Sequence, residues 1–250
     1  MAKSRRLNMK DFISSKEKKQ IYVNQMFSKI APRYDFVTSL LSYGQDRRWK
    51  ERLVRLVDVQ SQHAVLDLAC GTGDITFRLA RSGAPVRVIG VDITPEMIEI
   101  ASRKKTQLGA NQVEFEVGDI TRLRFPDNSF DRITVGYGVR NVPDIHQLMS
   151  EVLRMLKPGG RFFSLDFGKP LHPVYCWAYL QYLSAVGSAL GWILHGDPDV
   201  YRYIAESLRL YPAQHGIKQI MDKTGFVETG FLTFGGGITA INYGRKQIAP

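Results

Sequence analysis

The sequence predicts an α/β fold: a doubly wound, mostly parallel seven-stranded sheet with helices on both faces. Three observations carry this expectation. From residue 64 onward, apolar runs alternate with amphipathic stretches, the pattern of strands joined by helical crossovers. The first run, Ala64 to Cys70, breaks into Gly71-Thr72-Gly73 and then a helix-forming segment from Asp74. A second run, Val88-Ile89-Gly90-Val91, ends in Asp92, 19 positions after Gly73. That spacing puts a tight turn and an acid side by side at the carboxyl edge of neighbouring strands.

The elements follow in order. Residues 22–58 read as helices broken at Pro32 and again around Ser42 to Gln45, forming an N-terminal lid. Strands at 64–69, 86–91, 112–117, 130–135 and 160–166 are joined by helices at 74–82, 95–106 and 144–156. Pro95 after Thr94 suits the first turn of a helix. Lys157-Pro158-Gly159-Gly160 closes the helix ending at Leu156 and turns the chain into its next strand. Residues 171–215 then interrupt the sheet. Tyr175 to Leu194 is a 20-residue run without a charge, long enough to cross a bilayer. Gln181, Ser184, Gly187, Ser188 and Gly191 make it a poor span, and an apolar helical cap over the site is expected instead. A helix at 216–224 and strands at 226–233 and 238–244 complete the sheet as a C-terminal hairpin. The organisation expected is a flexible basic arm at 1–21 and a single domain at 22–250.

A chain of 250 residues can bury one sizeable core. Its two cysteines, Cys70 and Cys176, give no disulfide framework and suit a reducing cytoplasm; Cys70 reads as a small packing residue. No group of Cys, His and carboxylates has metal-ligand spacing, so no metal is expected. The net charge is +10, and seven basic against two acidic residues in the first 19 supply half of it. Those 19 residues lack the apolar run of a secretory signal. They read as a basic arm drawn to an anionic membrane surface, which would place the protein in the cytoplasm, peripheral to the inner face of the membrane. Only Phe12 interrupts the arm as an aromatic, so no specific nucleic-acid partner is expected. Self-association is left open.

The glycine turn and Asp92 suggest an adenosine-containing ligand, its ribose hydroxyls donating to Asp92 beside Ile93. A dinucleotide site would carry a third glycine, where this chain has Thr76, and a pyrophosphate would be repelled by Asp67 and Asp74. A ligand bearing an ammonium and a sulfonium would be attracted, and S-adenosylmethionine is such a ligand. Gly71, Thr72 and Gly73 would form the turn beneath it. Asp119, after the strand at 112–117, would accept the adenine amino group, with the Ile120 amide facing a ring nitrogen.

On the acceptor side, the strand at 130–135 runs into Gly136-Tyr137-Gly138-Val139-Arg140-Asn141-Val142. It lacks the polar-Pro-Pro-aromatic turn needed to methylate exocyclic base amines. Gly136 and Gly138 leave room for a planar acceptor, and Arg140 offers a cation to an oxyanion. His146 and His172 follow strand ends, where a lone histidine is usually solvated.

Several segments resemble the UbiE/MenG family of quinone-biosynthesis C-methyltransferases: Ile30-Ala31-Pro32-Arg33-Tyr34-Asp35, Leu41 to Trp49, Phe125 to Asp131, Gly138 to Val142, and Arg154 to Arg161. The resemblance runs from about Tyr22 to Arg245. It implies the class I, Rossmann-like fold of S-adenosylmethionine-dependent methyltransferases and C-methylation of a prenylated quinol ring. Demethylmenaquinol is the leading acceptor, with a ubiquinone precursor as the alternative. It implies cofactor contacts at Thr72, Asp92, Asp119, Ile120 and Gly136, and acceptor-side roles for Arg140 and Tyr34. The chain departs from the family pattern at Val37-Thr38, usually Met-Asn, and at Asp46, usually His. The resemblance also implies that the cap grips an isoprenoid tail. Two other readings remain: methylation of another lipophilic small molecule, or a basic, RNA-associated adenosine-binding protein.

Overall fold

In the computed structural model, which describes residues 15–82 and 87–248, seven strands form one sheet in the order β3-β2-β1-β4-β5-β7-β6. The strands are β1 Ala64–Leu68, β2 Arg87–Asp92, β3 Val113–Val117, β4 Phe130–Gly136, β5 Leu156–Phe167, β6 Phe226–Phe234 and β7 Thr239–Lys246. β1 pairs in parallel with both β2 and β4, and β7 runs antiparallel between β5 and β6. This is the mostly parallel sheet with a C-terminal hairpin that the pattern of apolar runs predicts. β1 and β2 are buried along nearly their whole length, which is why they read as continuous apolar runs. Chain order reverses at β1, so the crevice at the carboxyl ends of β1 and β4 is where such a sheet binds ligands.

Helices cover both faces. The lid comprises α1 Lys16–Ile30, a 3-10 turn at Ala31–Arg33, α2 Tyr34–Leu41 and α3 Gln45–Val57. Its breaks fall at Pro32 and at 42–44, as the sequence indicates. Crossovers are α4 Asp74–Ala80, α5 Pro95–Leu108 and α6 Ile145–Met155. The cap is a hairpin of α7 Pro173–His195 and α8 Asp199–Leu210, followed by α9 Ala213–Thr224.

Three boundaries differ from expectation. The basic arm does not extend to residue 21: Ser15 Oγ accepts from Lys18 N at 3.2 Å, and this N-cap starts α1 at Lys16. Residues 1–14 of that arm, and Val86 at the expected start of β2, lie outside the described residues. The turn expected at Lys157–Gly160 lies inside β5. Phe130 pairs with Leu156 and Arg132 with Arg161, so the intervening β5 residues bulge out of the ladder. α9 begins at Ala213, inside the segment assigned to the cap.

The lid is sewn to its surroundings on two sides. Ser28 Oγ donates to Glu96 at 2.9 Å, and Lys104 Nζ pairs with Asp35 at 2.6 Å. Towards the cap, Lys29 pairs with Asp197 at 3.2 Å and Arg33 donates to the Leu194 carbonyl at 2.7 Å. Beneath these polar ties, Val23, Met26, Ile30, Val37 and Leu53 are buried in the main core. The lid is therefore part of the domain rather than an appendage to it.

The uncharged α7 packs along α8, and no helix among the described residues is long and apolar enough to cross a membrane. Its small residues have a packing role: a Cβ at Gly191 would lie 2.5 Å from the Asp197 carbonyl oxygen and 3.1 Å from that of Pro198. Alanine gains about 1 kcal/mol of helix propensity over glycine, but overpacking costs about 1–3 kcal/mol. Gly191→Ala is expected to lower stability in spite of its better propensity. Thermal unfolding followed by circular dichroism checks this, and an increased Tm would contradict so close an approach.

Candidate functional site

Two cavities meet at the carboxyl ends of the central strands. The first, about 610 Å³, is lined by Ala69 and Gly71 after β1, Asp92 to Thr94 after β2, Asp119 to Thr121 after β3, and Gly136 to Gly138 after β4. Gln20, Val23, Phe27 and Tyr34 of the lid close it. The second, about 400 Å³, is lined by Arg140, Phe167 and Tyr137 from the sheet, Tyr34, Val37, Thr38 and Leu41 from the lid, and Tyr201, Tyr203 and Ile204 from the cap. Tyr34 and Tyr137 belong to both walls.

The glycine turn is built by Asp92. Its Oδ2 accepts from Gly71 N and its Oδ1 from Thr94 N, each at 2.9 Å. Gly71 and Gly73 both have positive φ, at +54° and +85°, a conformation that glycine takes without strain. Burial raises the Asp92 carboxyl above its ordinary value, and the backbone donors oppose that shift. Each oxygen keeps a further lone pair for a hydroxyl donor. Asp119 holds Thr121 N at 2.9 Å and Thr121 Oγ1 at 2.7 Å, both through Oδ1, leaving Oδ2 for an amino group.

The electrostatic argument that singled out Asp67 and Asp74 is corrected by their partners. Asp67 is fully buried and takes hydrogen bonds from Thr76 Oγ1 at 2.6 Å and Thr134 Oγ1 at 2.7 Å. Burial pushes it up to about 6 despite those hydroxyls, so it braces β1 against α4 and β4. Asp74 is paired with the buried Lys50 at 2.8 Å and with Arg78 at 2.7 Å. Neither lines the first cavity. Asp92, not this pair, brings negative charge to the pocket wall. Thr72 is also engaged elsewhere, donating to Asp35 of the lid at 2.7 Å; it and Gly73 stand behind the lining.

The residues present fit S-adenosylmethionine. Asp92 and Asp119 present acceptors to ribose hydroxyls and an adenine amino group, and Ile93, Met97 and Ile120 form apolar walls. Gly71, Asp92, Ile93, Asp119, Ile120 and Gly136 are thus brought together as lining. Asp67, Thr72 and Gly73 support that lining from behind.

In the second cavity, Arg140 is buried, and its Nη1 pairs with Asp166 Oδ1 at 2.7 Å and donates to the Tyr137 carbonyl at 2.7 Å. Nη2 lies 3.3 Å from Tyr203 Oη, and the guanidinium sits 4.9 Å over the Phe167 ring. Burial is the largest influence and works against its charge, but Asp166, Tyr203 and Tyr34 together outweigh it and hold the guanidinium above its ordinary value. Its Nε is buried without a hydrogen-bond partner, a donor whose desolvation costs about 1–3 kcal/mol until something accepts from it. Tyr34 is held neutral, since burial raises its phenol well above the ordinary value.

Sequence reasoning missed Asp166, Tyr203 and Tyr137. Asp166 ends β5 as Asp92 ends β2, and that repetition was a usable signal. Tyr137 has φ of +58°, uncommon for an aromatic residue, and nothing local in the sequence marks it. Of the two departures from the family pattern, Val37 and Thr38 line the second cavity. Asp46 instead takes Lys50 at 3.0 Å and Ser42 Oγ at 3.0 Å. His146 and His172 are exposed and line neither cavity. Burial pushes the Cys70 thiol well up, in keeping with a packing role.

The ubiE/COQ5 methyltransferase family has a sequence profile that matches residues 13–246. The chain belongs to this family. It is 36% identical over 234 residues to the ubiquinone/menaquinone biosynthesis C-methyltransferase UbiE of Rickettsia akari, covering 92% of this chain and 94% of that protein. It is 40% identical over 222 residues to the demethylmenaquinone methyltransferase of Thermus thermophilus, covering 88% and 100%. Among solved structures, a SAM-dependent methyltransferase from Aquifex aeolicus superposes with a TM-score of 0.58 at 18% identity, covering 79% of this chain and 89% of that one. Membership in this family makes the protein a class I methyltransferase, with S-adenosylmethionine as its cofactor.

Asp92→Ala is expected to weaken S-adenosylmethionine binding at least tenfold, a hydrogen bond to a charged group being worth about 1.5–3 kcal/mol. Unchanged affinity by titration calorimetry would remove Asp92 from the site. Asp67 gives a second test. Its folded carboxyl titrates higher than an unfolded one, so its contribution is full below about pH 4 and is lost as pH rises through 6. Asp67→Asn is therefore expected to stabilise the protein more at pH 8 than near pH 4, by about 2–3 kcal/mol, in urea unfolding at the two pH values.

Proposed function

We propose that the protein transfers the methyl group of S-adenosylmethionine to a ring carbon of a prenylated quinol, with demethylmenaquinol as the leading acceptor. One observation carries this reading. The cofactor cavity shares the Tyr34 and Tyr137 walls with a neighbouring, mostly apolar cavity that contains a buried arginine. Phe167 offers a face to a planar ring, and the unpartnered Arg140 Nε offers a donor to its oxygen. The names of the relatives support the same substrate class.

When bound, S-adenosylmethionine supplies an electrophilic methyl on a sulfonium. The chain's own residues do the rest by binding, orientation and charge. A quinol carbon becomes nucleophilic when the adjacent hydroxyl ionises. The Arg140 guanidinium stabilises that oxyanion, and Asp166 fixes the guanidinium in place. Arginine holds its proton too tightly to act as a base. No carboxylate or histidine lines the second cavity among the described residues, so the released protons pass first to a water molecule held in the site. Tyr34 and Tyr137 set the separation between the two sites, and the lid excludes bulk water.

The reading includes contact with the membrane surface, where such an acceptor resides. On α7, Val174, Trp177, Trp192 and Ile193 are each more than 60% exposed. With a net charge of +10, the chain combines an apolar face with attraction to anionic lipid.

Incubation with methyl-labelled S-adenosylmethionine and a prenylated demethylnaphthoquinol is expected to put label in the quinone fraction, and no label there would overturn the proposal. Arg140→Ala alone leaves the Asp166 carboxylate buried and uncompensated, a cost of about 3–5 kcal/mol. The double variant Arg140→Ala with Asp166→Asn avoids this. It is expected to keep cofactor affinity while losing about 100-fold or more in kcat; equal losses in both would count against charge stabilisation.

A further inference from the structure

A third hollow, about 850 Å³, lies between the turn joining α2 to α3 and one face of α7. It shares Leu41 and Phe167 with the ring cavity, so the two lie side by side across these side chains. Along α7 it is walled by Tyr175, Ala178, Tyr179 and Tyr182, residues spaced three and four apart and therefore on one helical face. That face extends about 10 Å at 1.5 Å per residue.

The tyrosines present rings rather than hydroxyls to the space. Tyr175 Oη donates to the Gly235 carbonyl at 2.9 Å and Tyr179 Oη to that of Ile238 at 3.2 Å. At the far wall, the rings of Tyr43 and Tyr182 stack at 5.9 Å and 21°, fastening the turn to α7. Trp49, itself buried, closes the inner end.

We infer that this groove is the subsite for the first isoprene units of the acceptor's prenyl tail, which leaves the ring cavity between Leu41 and Phe167 and runs along α7. The inference rests on the proposed acceptor class and adds the path of its tail. An apolar chain attached to a ring beside Phe167 would pass these two side chains into an apolar groove. Val174 and Trp177, next to Tyr175 and Ala178 on α7, are exposed apolar side chains that would carry the tail on towards lipid. The remainder of a long tail then stays in the bilayer while the ring is methylated.

The test uses the full chain. It has three tryptophans, so Trp177→Phe with Trp192→Phe leaves Trp49 as the single indole, inside the groove. Farnesol is expected to change the Trp49 emission saturably, and Ala178→Phe in that background to weaken the effect at least tenfold. Ala178 is exposed, so the larger side chain fills the groove without disturbing the core. In turnover, Ala178→Phe is expected to lower the ratio of kcat/KM for the prenylated over the unprenylated demethylnaphthoquinol at least tenfold. Absence of farnesol binding, or a ratio unchanged by the substitution, overturns the tail subsite. If farnesol binds and Ala178→Phe weakens it, but the unsubstituted protein methylates neither quinol, the groove stands as an isoprenoid site and the proposed acceptor falls.

Discussion

The Arg140–Asp166 ion pair is the constraint on which the acceptor side depends. It joins the end of β5 to the segment after β4 at 2.7 Å, with the Arg140 backbone N also donating to Asp166 Oδ2 at 3.2 Å. The same residue meets the cap through Tyr203 and the lid through Lys19, which donates to the Arg140 carbonyl at 3.1 Å. Sheet, lid and cap therefore converge on one residue, the sheet and cap at its guanidinium and the lid at its carbonyl. Burying such a pair is weakly stabilising at best, because the desolvation of both charges offsets their attraction. Apolar residues of the same volume would serve the fold as well. What they would not provide is a fixed cation with a spare donor in a dry cavity, where its effect on a developing oxyanion is largest.

A comparable division of labour holds on the cofactor side. Asp92 spends one lone pair of each oxygen on the backbone, fixing the turn, and faces the cavity with what remains. Asp67 and Asp74 are one step further back. Thr76 and Thr134 hold the first, and Lys50 and Arg78 neutralise the second. Lys50 and its partner Asp46 both lie on the lid helix α3, so through Asp74 the glycine turn and the lid share a buried charge balance. An aspartate at position 46 belongs to that balance, since it meets the lysine with opposite charge.

This explains what the sequence revealed and what it concealed. The glycine turn, the acid 19 residues on, and Asp119-Ile120 are defined by local spacing along consecutive strands, and strand period alone puts them on one edge. Asp166 and Tyr203 lie 26 and 63 residues from Arg140. Only the sheet order, with β5 beside β4, and the return of the cap bring them together. In the sequence, Asp67 and Asp74 look like free carboxylates, because the groups that pair them are not visible there. The carboxylates at the cavity wall are instead Asp92 and Asp119. Likewise, the uncharged stretch of α7 is ambiguous between span, core helix and cap until the close approach at Gly191 shows what its small residues do.

Tyr137 shows why the two cavities are adjacent yet distinct. A residue leaving a strand in extended geometry would continue the line of β4. The left-handed conformation of Tyr137 turns the chain instead, aiming its carbonyl at Arg140 Nη1 and at Asn141 Nδ2, 3.2 Å away. Its ring packs 5.3 Å from that of Phe167, within the wall common to both spaces. Strain of this kind costs about 1–3 kcal/mol and persists only where the surroundings enforce it. Here the carbonyl bonds and the ring contact both enforce it, and both belong to the acceptor side. The partition between the two cavities is thus maintained by the same groups that position the arginine, so on the proposed reading the spacing for methyl transfer and the charge that promotes it are fixed together.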